Sequence, residues 1–184
     1  MKQHPEEEIE RLGSRFGHPE TLEFVLDDID FKPLGGKRKA EVAMAIRRPN
    51  GKILLQTKEF YPTNLFRLPT GGLKAREDIE AALLRETEEE TALSVRIRDF
   101  SAVLNYLADS GEPVFRSYLF LLDESGGVLQ EYEPKERISG WMEAAPAQLQ
   151  QAAEQLRSCK GRWKNWGRFR ALVIDALLAR QPWP

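Results

Sequence analysis

Asp78-Ile79-Glu80-Ala81-Ala82-Leu83-Leu84-Arg85-Glu86-Thr87-Glu88-Glu89-Glu90-Thr91-Ala92-Leu93 is the stretch on which the reading of this chain turns. Helical periodicity places Ile79, Ala82 and Leu83 on one face, the stripe that an amphipathic helix buries. Continued along the helix, that stripe meets Glu86 and Glu90, with Glu89 at its edge, before Leu93 restores apolar character. Glu80, Arg85 and Glu88 point elsewhere. A run of glutamates ordinarily marks a solvated face, but solvated charges belong opposite the apolar stripe and not within it. Half-buried carboxylates at i, i+3 and i+4 repel one another and lose hydration. They also lie toward the helix C-terminus, where the macrodipole disfavours negative charge. A hard divalent cation such as Mg²⁺ or Mn²⁺ answers all of these costs with oxygen ligands.

Outward from this helix, the upstream chain reads as a short helix over Pro5 to Leu12 that ends near Gly13. A strand follows from Leu22 to Phe31, then a Gly-Gly and basic connector from Leu34 to Lys39. Val42, Met44 and Ile46 alternate with Ala43 and Ala45, so Glu41 to Arg47 is a strand with buried surroundings. Pro49-Asn50-Gly51 turns it back into a second strand, Ile53 to Lys58. Glu59 to Gly72 is a long loop carrying a short strand at Leu65 to Leu68. Downstream, Val95 to Ile97, Ser101 to Leu107 and Val114 to Leu122 read as separate strands, and Ser125-Gly126-Gly127 breaks the chain. A short strand closes at Trp141-Met142, and helices cover Pro146 to Arg157 and Phe169 to Leu178. Strands outnumber helices in mixed order, which gives an α/β or α+β class.

A chain of 184 residues, 41% hydrophobic and 30% charged, suffices for one domain with a substantial core. A formal charge of −2 argues against a dedicated nucleic-acid or membrane-surface protein. The single cysteine, Cys159, excludes an internal disulfide framework and suits a reducing compartment. Residues 1–8 contain no apolar run and no stretch has the length of a membrane span, so a cytoplasmic location is expected.

Gly71, then five residues, Glu77, then seven residues, then Arg85-Glu86-Thr87-Glu88-Glu89-Glu90-Thr91-Ala92-Leu93 resembles the Nudix box of the Nudix hydrolases. Gly71, Glu77, Arg85, Glu86, Glu89 and Glu90 all stand at the diagnostic spacing. Three residues depart from the pattern: Arg76 and Ala92 replace glycines, and Thr87 replaces an aliphatic residue. None of these removes a ligand; Ala92 puts in doubt only how the helix ends. The resemblance implies an α/β/α sandwich with a mixed sheet, with residues 1–38 as an N-terminal extension (short helix and strand) on a domain of residues 39–184.

The resemblance further implies that Glu86, Glu89, Glu90 and the carbonyl of Thr70 hold Mg²⁺ or Mn²⁺, that Arg85 orients the carboxylates, and that Gly71 and Glu77 support the loop. The reaction implied is hydrolysis of a phosphoanhydride in a nucleoside diphosphate derivative, with ADP-ribose-like and sugar nucleotides as first candidates. Such chemistry needs a base, either Glu89 on the helix or a glutamate of the later loop. Among Glu131, Glu133 and Glu136, the expectation is Glu136, because Glu136-Arg137-Ile138 precedes Trp141. Arg67 is expected at phosphate and Tyr61 or Phe66 against a base, although each is ordinarily a packing or surface residue. The basic run Arg157, Lys160, Arg162, Lys164, Arg168 and Arg170, interleaved with Trp163, Trp166 and Phe169, could bind RNA; packed aromatics with solvated charges are the expectation. A small-molecule nucleotide is thus the expected partner, no nucleic acid or membrane is, and strand Leu22 to Phe31 is available for a homodimer. Rival readings are a nucleotide- or RNA-binding regulator without turnover, and an isomerase on the same fold. Complete ligands argue against the first; the position of Cys159, far from the box, argues against the second.

Overall fold

The computed structural model describes residues 5–25, 39–108, 110–130 and 134–183. Its elements run α1 (Pro5–Phe16), β1 (Glu20–Val25), β2 (Ala40–Arg47), β3 (Ile53–Lys58), β4 (Thr70–Gly72), α2 (Ile79–Thr91), β5 (Leu93–Leu107), β6 (Pro113–Gly127), β7 (Ile138–Ala144), α3 (Pro146–Arg157) and α4 (Lys164–Ala179). The strands form one mixed sheet in the order β1-β5-β6-β2-β3-β7, with β4 paired to β2. β1 lies parallel to β5 and β2 parallel to β6; the other pairings are antiparallel.

Both faces of this sheet are covered, which explains the composition of β2. Val42, Met44 and Ile46 pack with Leu12, Ile79, Ala82 and Leu83 beneath α1 and α2. Ala43 and Ala45 pack on the opposite side with Leu149, Leu156, Phe169 and Leu177 of α3 and α4. The alternation is therefore one of size between two dry faces, and the expected sandwich is what forms. Among the described residues no helix is long and apolar enough to cross a membrane.

The sheet parts around β2, and this parting makes the site. The Pro49-Asn50-Gly51 turn joins β2 to β3 as expected, with the Gly51 amide donating to the Arg48 carbonyl at 2.9 Å. Yet the two strands stay paired only at Arg47 and Ile53. Toward its beginning β2 pairs with β4 instead, Glu41 opposite Gly72 and Ala43 opposite Thr70. β3 turns to β7, so the chain from 59 to 69 fills the gap between them.

Several boundaries differ from expectation. α1 passes through Gly13 to Phe16 because Ile9, Leu12 and Phe16 continue the apolar stripe under the sheet. The strand expected at Leu65 to Leu68 reduces to one bridge between Arg67 and Gln56; the ladder forms at Thr70–Gly72. Val95 to Ile97 and Ser101 to Leu107 are a single strand, β5. Register shifts at Ile97/Asp99 and Phe100/Ala102 break its alternation and split it in the sequence. The expected break at Ser125-Gly126-Gly127 lies inside β6, where a Cβ on Gly127 would strike the Ala92 carbonyl oxygen. Of the strand Leu22 to Phe31, residues 22–25 fall in edge strand β1, which begins earlier, at Glu20; residues 26–31 lie outside the described part, as do residues 34–38 of the connector.

Candidate active site

α2 carries its acidic end under the parting of β2 and β3. Its first turn is fixed from outside: Asp78 makes no side-chain cap, and Glu8 of α1 accepts from the Ile79 amide at 2.6 Å instead. The last turn closes on Ala92, which takes the left-handed conformation (φ 53°) and donates its amide to the Glu88 carbonyl at 2.9 Å. Arg76 is also left-handed, at φ 68°. Both positions where the sequence departs from glycine keep a backbone that glycine adopts most easily. Thr87, the third departure, is fully buried; its hydroxyl donates to the Leu83 carbonyl at 2.7 Å, so no polar group is left unmet.

The helix face read from sequence holds. Glu86 and Glu90 are buried, and Glu89 is half-buried. Arg85 ties this face to the preceding loop. Its Nε and Nη2 grip both oxygens of Glu77, at 2.6 and 2.7 Å. Its Nη1 donates to Glu86 at 2.6 Å and to Glu89 at 3.1 Å, and its Nη2 also reaches the Gly72 carbonyl at 3.1 Å. Glu77 accepts from the Lys74 amide at 2.8 Å, and the Arg85 contact holds its carboxyl below the usual range. Gly71 is required sterically: a Cβ there would overlap the Glu86 side chain.

The three carboxylates do not gather on one point, contrary to the expected convergence. Glu86 and Glu89 turn toward Arg85, whereas Glu90 turns to β3. There it accepts from Gln56 Nε2 at 2.9 Å and Lys58 Nζ at 3.3 Å. Among the described residues no three acidic, histidine or cysteine side chains close into a coordination cluster. Lys58 joins Glu90 to Glu136, whose carboxylate it meets at 2.7 Å. Burial and the nearby carboxylates push Glu86 and Glu90 above their ordinary pKa, Glu136 acting on both. Burial raises Glu136 as well, but the Lys58 bond and charge outweigh it and hold this carboxyl low. Five carboxylates (Glu77, Glu86, Glu89, Glu90 and Glu136) thus share their surroundings with Arg85, Lys58, Arg67, Lys74 and Lys135. Such an oxygen-rich set is a donor chemistry that suits a hard divalent ion.

All of these groups except Glu77 and Glu90 line a cleft of about 710 Å³. Thr70, Gly71, Arg85, Glu86, Glu89 and Glu136 all border it, as do Tyr61 and Arg67. Arg67 is only 3% exposed and serves as a strut. It donates to the Tyr61 hydroxyl at 2.8 Å, the Leu68 carbonyl at 2.7 Å and Thr70 Oγ1 at 3.1 Å. Phe66 is not among the cleft residues; it packs against the core beneath α3 and α4. Glu131 and Glu133 lie outside the described residues.

Gln56 and Lys58 escaped the sequence reading. They continue the side of β3 begun by Leu54, so a polar pair extending an apolar alternation was their available signal. Glu41 also escaped it: with Arg170 of the basic run it forms a buried ion pair at 2.7 Å on another wall, and Ser117 donates to Glu41 at 2.8 Å. The basic run is thereby broken up, since Arg170 is buried and Arg157 pairs with Asp175 at 2.6 Å.

The NUDIX domain family model matches residues 37–166, more than half the chain. The chain belongs to the Nudix family. Solved structures similar to this Nudix protein include a NUDIX hydrolase from Nitrosomonas europaea, with TM-score 0.56 and 19% identity over 80% of this chain and 93% of that one. An ADP-ribose pyrophosphatase from Streptococcus suis 89-1591 gives TM-score 0.51 and 19% identity over 80% of this chain and 97% of that one. At such identities the likeness speaks to the fold. No curated protein sequence matches this Nudix chain.

Proposed function

We propose that this Nudix protein is a Mg²⁺-dependent hydrolase that cleaves a phosphoanhydride in a nucleoside diphosphate derivative, with ADP-ribose-like or sugar nucleotides as first candidates. The observation that carries the proposal is the set of carboxylates on one face of α2, bordering a cleft that Glu136 also enters. The Streptococcus suis relative, an ADP-ribose pyrophosphatase, supports the substrate class.

In this reading Glu86, Glu89, Glu90 and the Thr70 carbonyl hold the ion, and Arg85, itself braced by Glu77, sets the orientation of Glu86 and Glu89. An ion held there would supply charge neutralisation at the diphosphate oxygens and acidify the attacking water. Glu136 accepts the proton of the attacking water; the Lys58 contact keeps it ionised near neutral pH, the state a base requires. Glu89, half-buried at the rim, is the alternative acceptor. Arg67 and Tyr61 fix the loop that carries Thr70. Residues 1–38 are read as an extension packed on the domain of residues 39–184; a cytoplasmic location and a dimer through edge strand β1 belong to the same proposal.

Lys58 favours the rival reading, a nucleotide- or RNA-binding regulator, because it occupies Glu90 and Glu136 with a cation of the protein's own. Incubation with a panel of nucleoside diphosphate derivatives, with and without Mg²⁺ or Mn²⁺, separates the two. Metal-dependent products that vanish in Glu89→Gln support the hydrolase. Tight binding without turnover supports the regulator.

A further inference from the structure

We propose that Phe60, Trp163 and Trp166 form the seat for the nucleobase of the substrate, and that this seat reads the base by stacking and not by hydrogen bonds. The inference rests on the reading of a nucleotide substrate and adds where its base lies and how loosely it is selected.

The start of α4 presents Trp166 and Arg170 to the cleft, with Trp163 just ahead of the helix. Phe169, Val173, Ile174 and Leu177 continue this face of the helix into the core, against which Trp166 also packs. Opposite them, the loop after β3 supplies Phe60 and Tyr61. A hollow of about 380 Å³ lies between Phe60, Arg162, Trp163 and Trp166. Its three aromatic walls also border the main cleft, so the acidic and the aromatic ends are continuous. Phe60 is 47% exposed, a large apolar surface beside a site otherwise rich in charge.

The rings meet at steep angles. Trp163 and Trp166 are 5.1 Å apart at 75°, Tyr61 and Trp163 5.8 Å at 78°, and Phe60 and Tyr61 5.0 Å at 82°. Guanidinium groups lie over Trp163 (Arg162, 5.4 Å) and over Phe60 (Arg137, 5.5 Å), so a ring face of each is reachable from the hollow's rim by a long side chain. Tyr61, the stacking residue expected from sequence, is instead the packed centre of the cluster, its hydroxyl held by Arg67. Through Arg67 and Thr70 the aromatic end is tied to the strand beside Glu86. Among the described residues no carboxylate, amide or hydroxyl side chain lines the hollow; its side-chain polar groups are the Arg162 guanidinium and the indole N–H groups of Trp163 and Trp166. Such a surface offers every base a ring face and few groups to tell one edge from another.

The test measures binding of adenosine monophosphate, uridine monophosphate and ribose 5-phosphate to the full chain by calorimetry, with tryptophan fluorescence in parallel. None of the three contains an anhydride, so the readout is independent of turnover. Both nucleotides are expected to bind and quench, within about tenfold of each other, and ribose 5-phosphate to bind at least about tenfold more weakly. Trp163→Ala and Phe60→Ala are each expected to weaken nucleotide binding about tenfold, and Trp163→Phe to restore most of it. Equal affinity for ribose 5-phosphate in the wild-type protein overturns the proposal whether or not any variant folds. So does a folded Trp163→Ala protein with undiminished nucleotide affinity. Stacking without any diphosphate hydrolysis leaves this seat standing and removes the hydrolase reading; hydrolysis by a protein that binds ribose 5-phosphate as tightly as the nucleotides does the reverse.

Discussion

Arg170 and Arg85 each bring a guanidinium to the same cleft, and what surrounds them differs in charge balance. Arg170 meets one carboxylate, Glu41, in a buried pair with a hydroxyl from Ser117 alongside. Arg85 meets Glu77, Glu86 and Glu89, with Glu90 and Glu136 beyond them. A buried one-to-one pair serves the fold; three carboxylates around one guanidinium repel one another and call for further cations. The contrast separates a structural wall of the cleft from the wall proposed to do chemistry.

The largest effect expected is on activity. Glu89→Gln and Glu136→Gln should each lower turnover by about 10²- to 10⁴-fold, and Glu136→Gln should also lower the thermal midpoint, because it takes the paired carboxylate from Lys58. Steady-state kinetics beside a melting curve tests this; a pair of variants with full turnover would put the chemistry elsewhere.

At the balanced pair the order reverses. Arg170→Met leaves Glu41 buried without its cation and should cost about 3–5 kcal/mol in urea unfolding. Adding Glu41→Leu should recover much of it, since the uncompensated charge is then gone. An Arg170→Met protein of undiminished stability would erase the contrast between the two arginines.

Gly71→Ala forces a methyl into Glu86 and should cost about 1–3 kcal/mol, together with a loss of Mg²⁺-induced stabilisation. Scanning fluorimetry with and without Mg²⁺ reads both.

Acidity supplies a further probe. Burial raises the carboxyls of Glu86 and Glu90, so the folded protein binds their protons more tightly than the unfolded chain does. Their contribution to stability without added metal is therefore fully present below the ordinary value of 4.5 and declines as pH rises through the raised values. Metal competes with those protons, so the stabilisation by Mg²⁺ should grow with pH over the same window. A flat dependence would mean that neither carboxylate binds the ion. The smallest effect expected is at the helix end, where Ala92→Gly should stabilise the protein by about 1 kcal/mol by relieving a left-handed alanine.

The acidic face of α2 was legible because helical spacing is local: Ile79, Ala82, Leu83, Glu86 and Glu90 fall on one side whatever they pack against. The hairpin at Asn50-Gly51 and the two-faced strand β2 were legible for the same reason. β5 was not, because its register shifts disrupt the alternation that marks a strand. Lys58 and Glu136 are 78 residues apart in sequence, and Arg170 and Glu41 129 apart; no local pattern announces either pair.

By itself, then, the sequence determined the helix, its misplaced acidity and the spacing of the Nudix box, all properties of neighbouring residues. Only the tertiary structure decided that Glu90 turns to Gln56 and Lys58, that Arg67 is a strut, and that the tryptophans of the α4 start stand at the far end of the same cleft. Those facts depend on β3 leaving β2 after one pairing, and where a strand goes is settled by long-range packing.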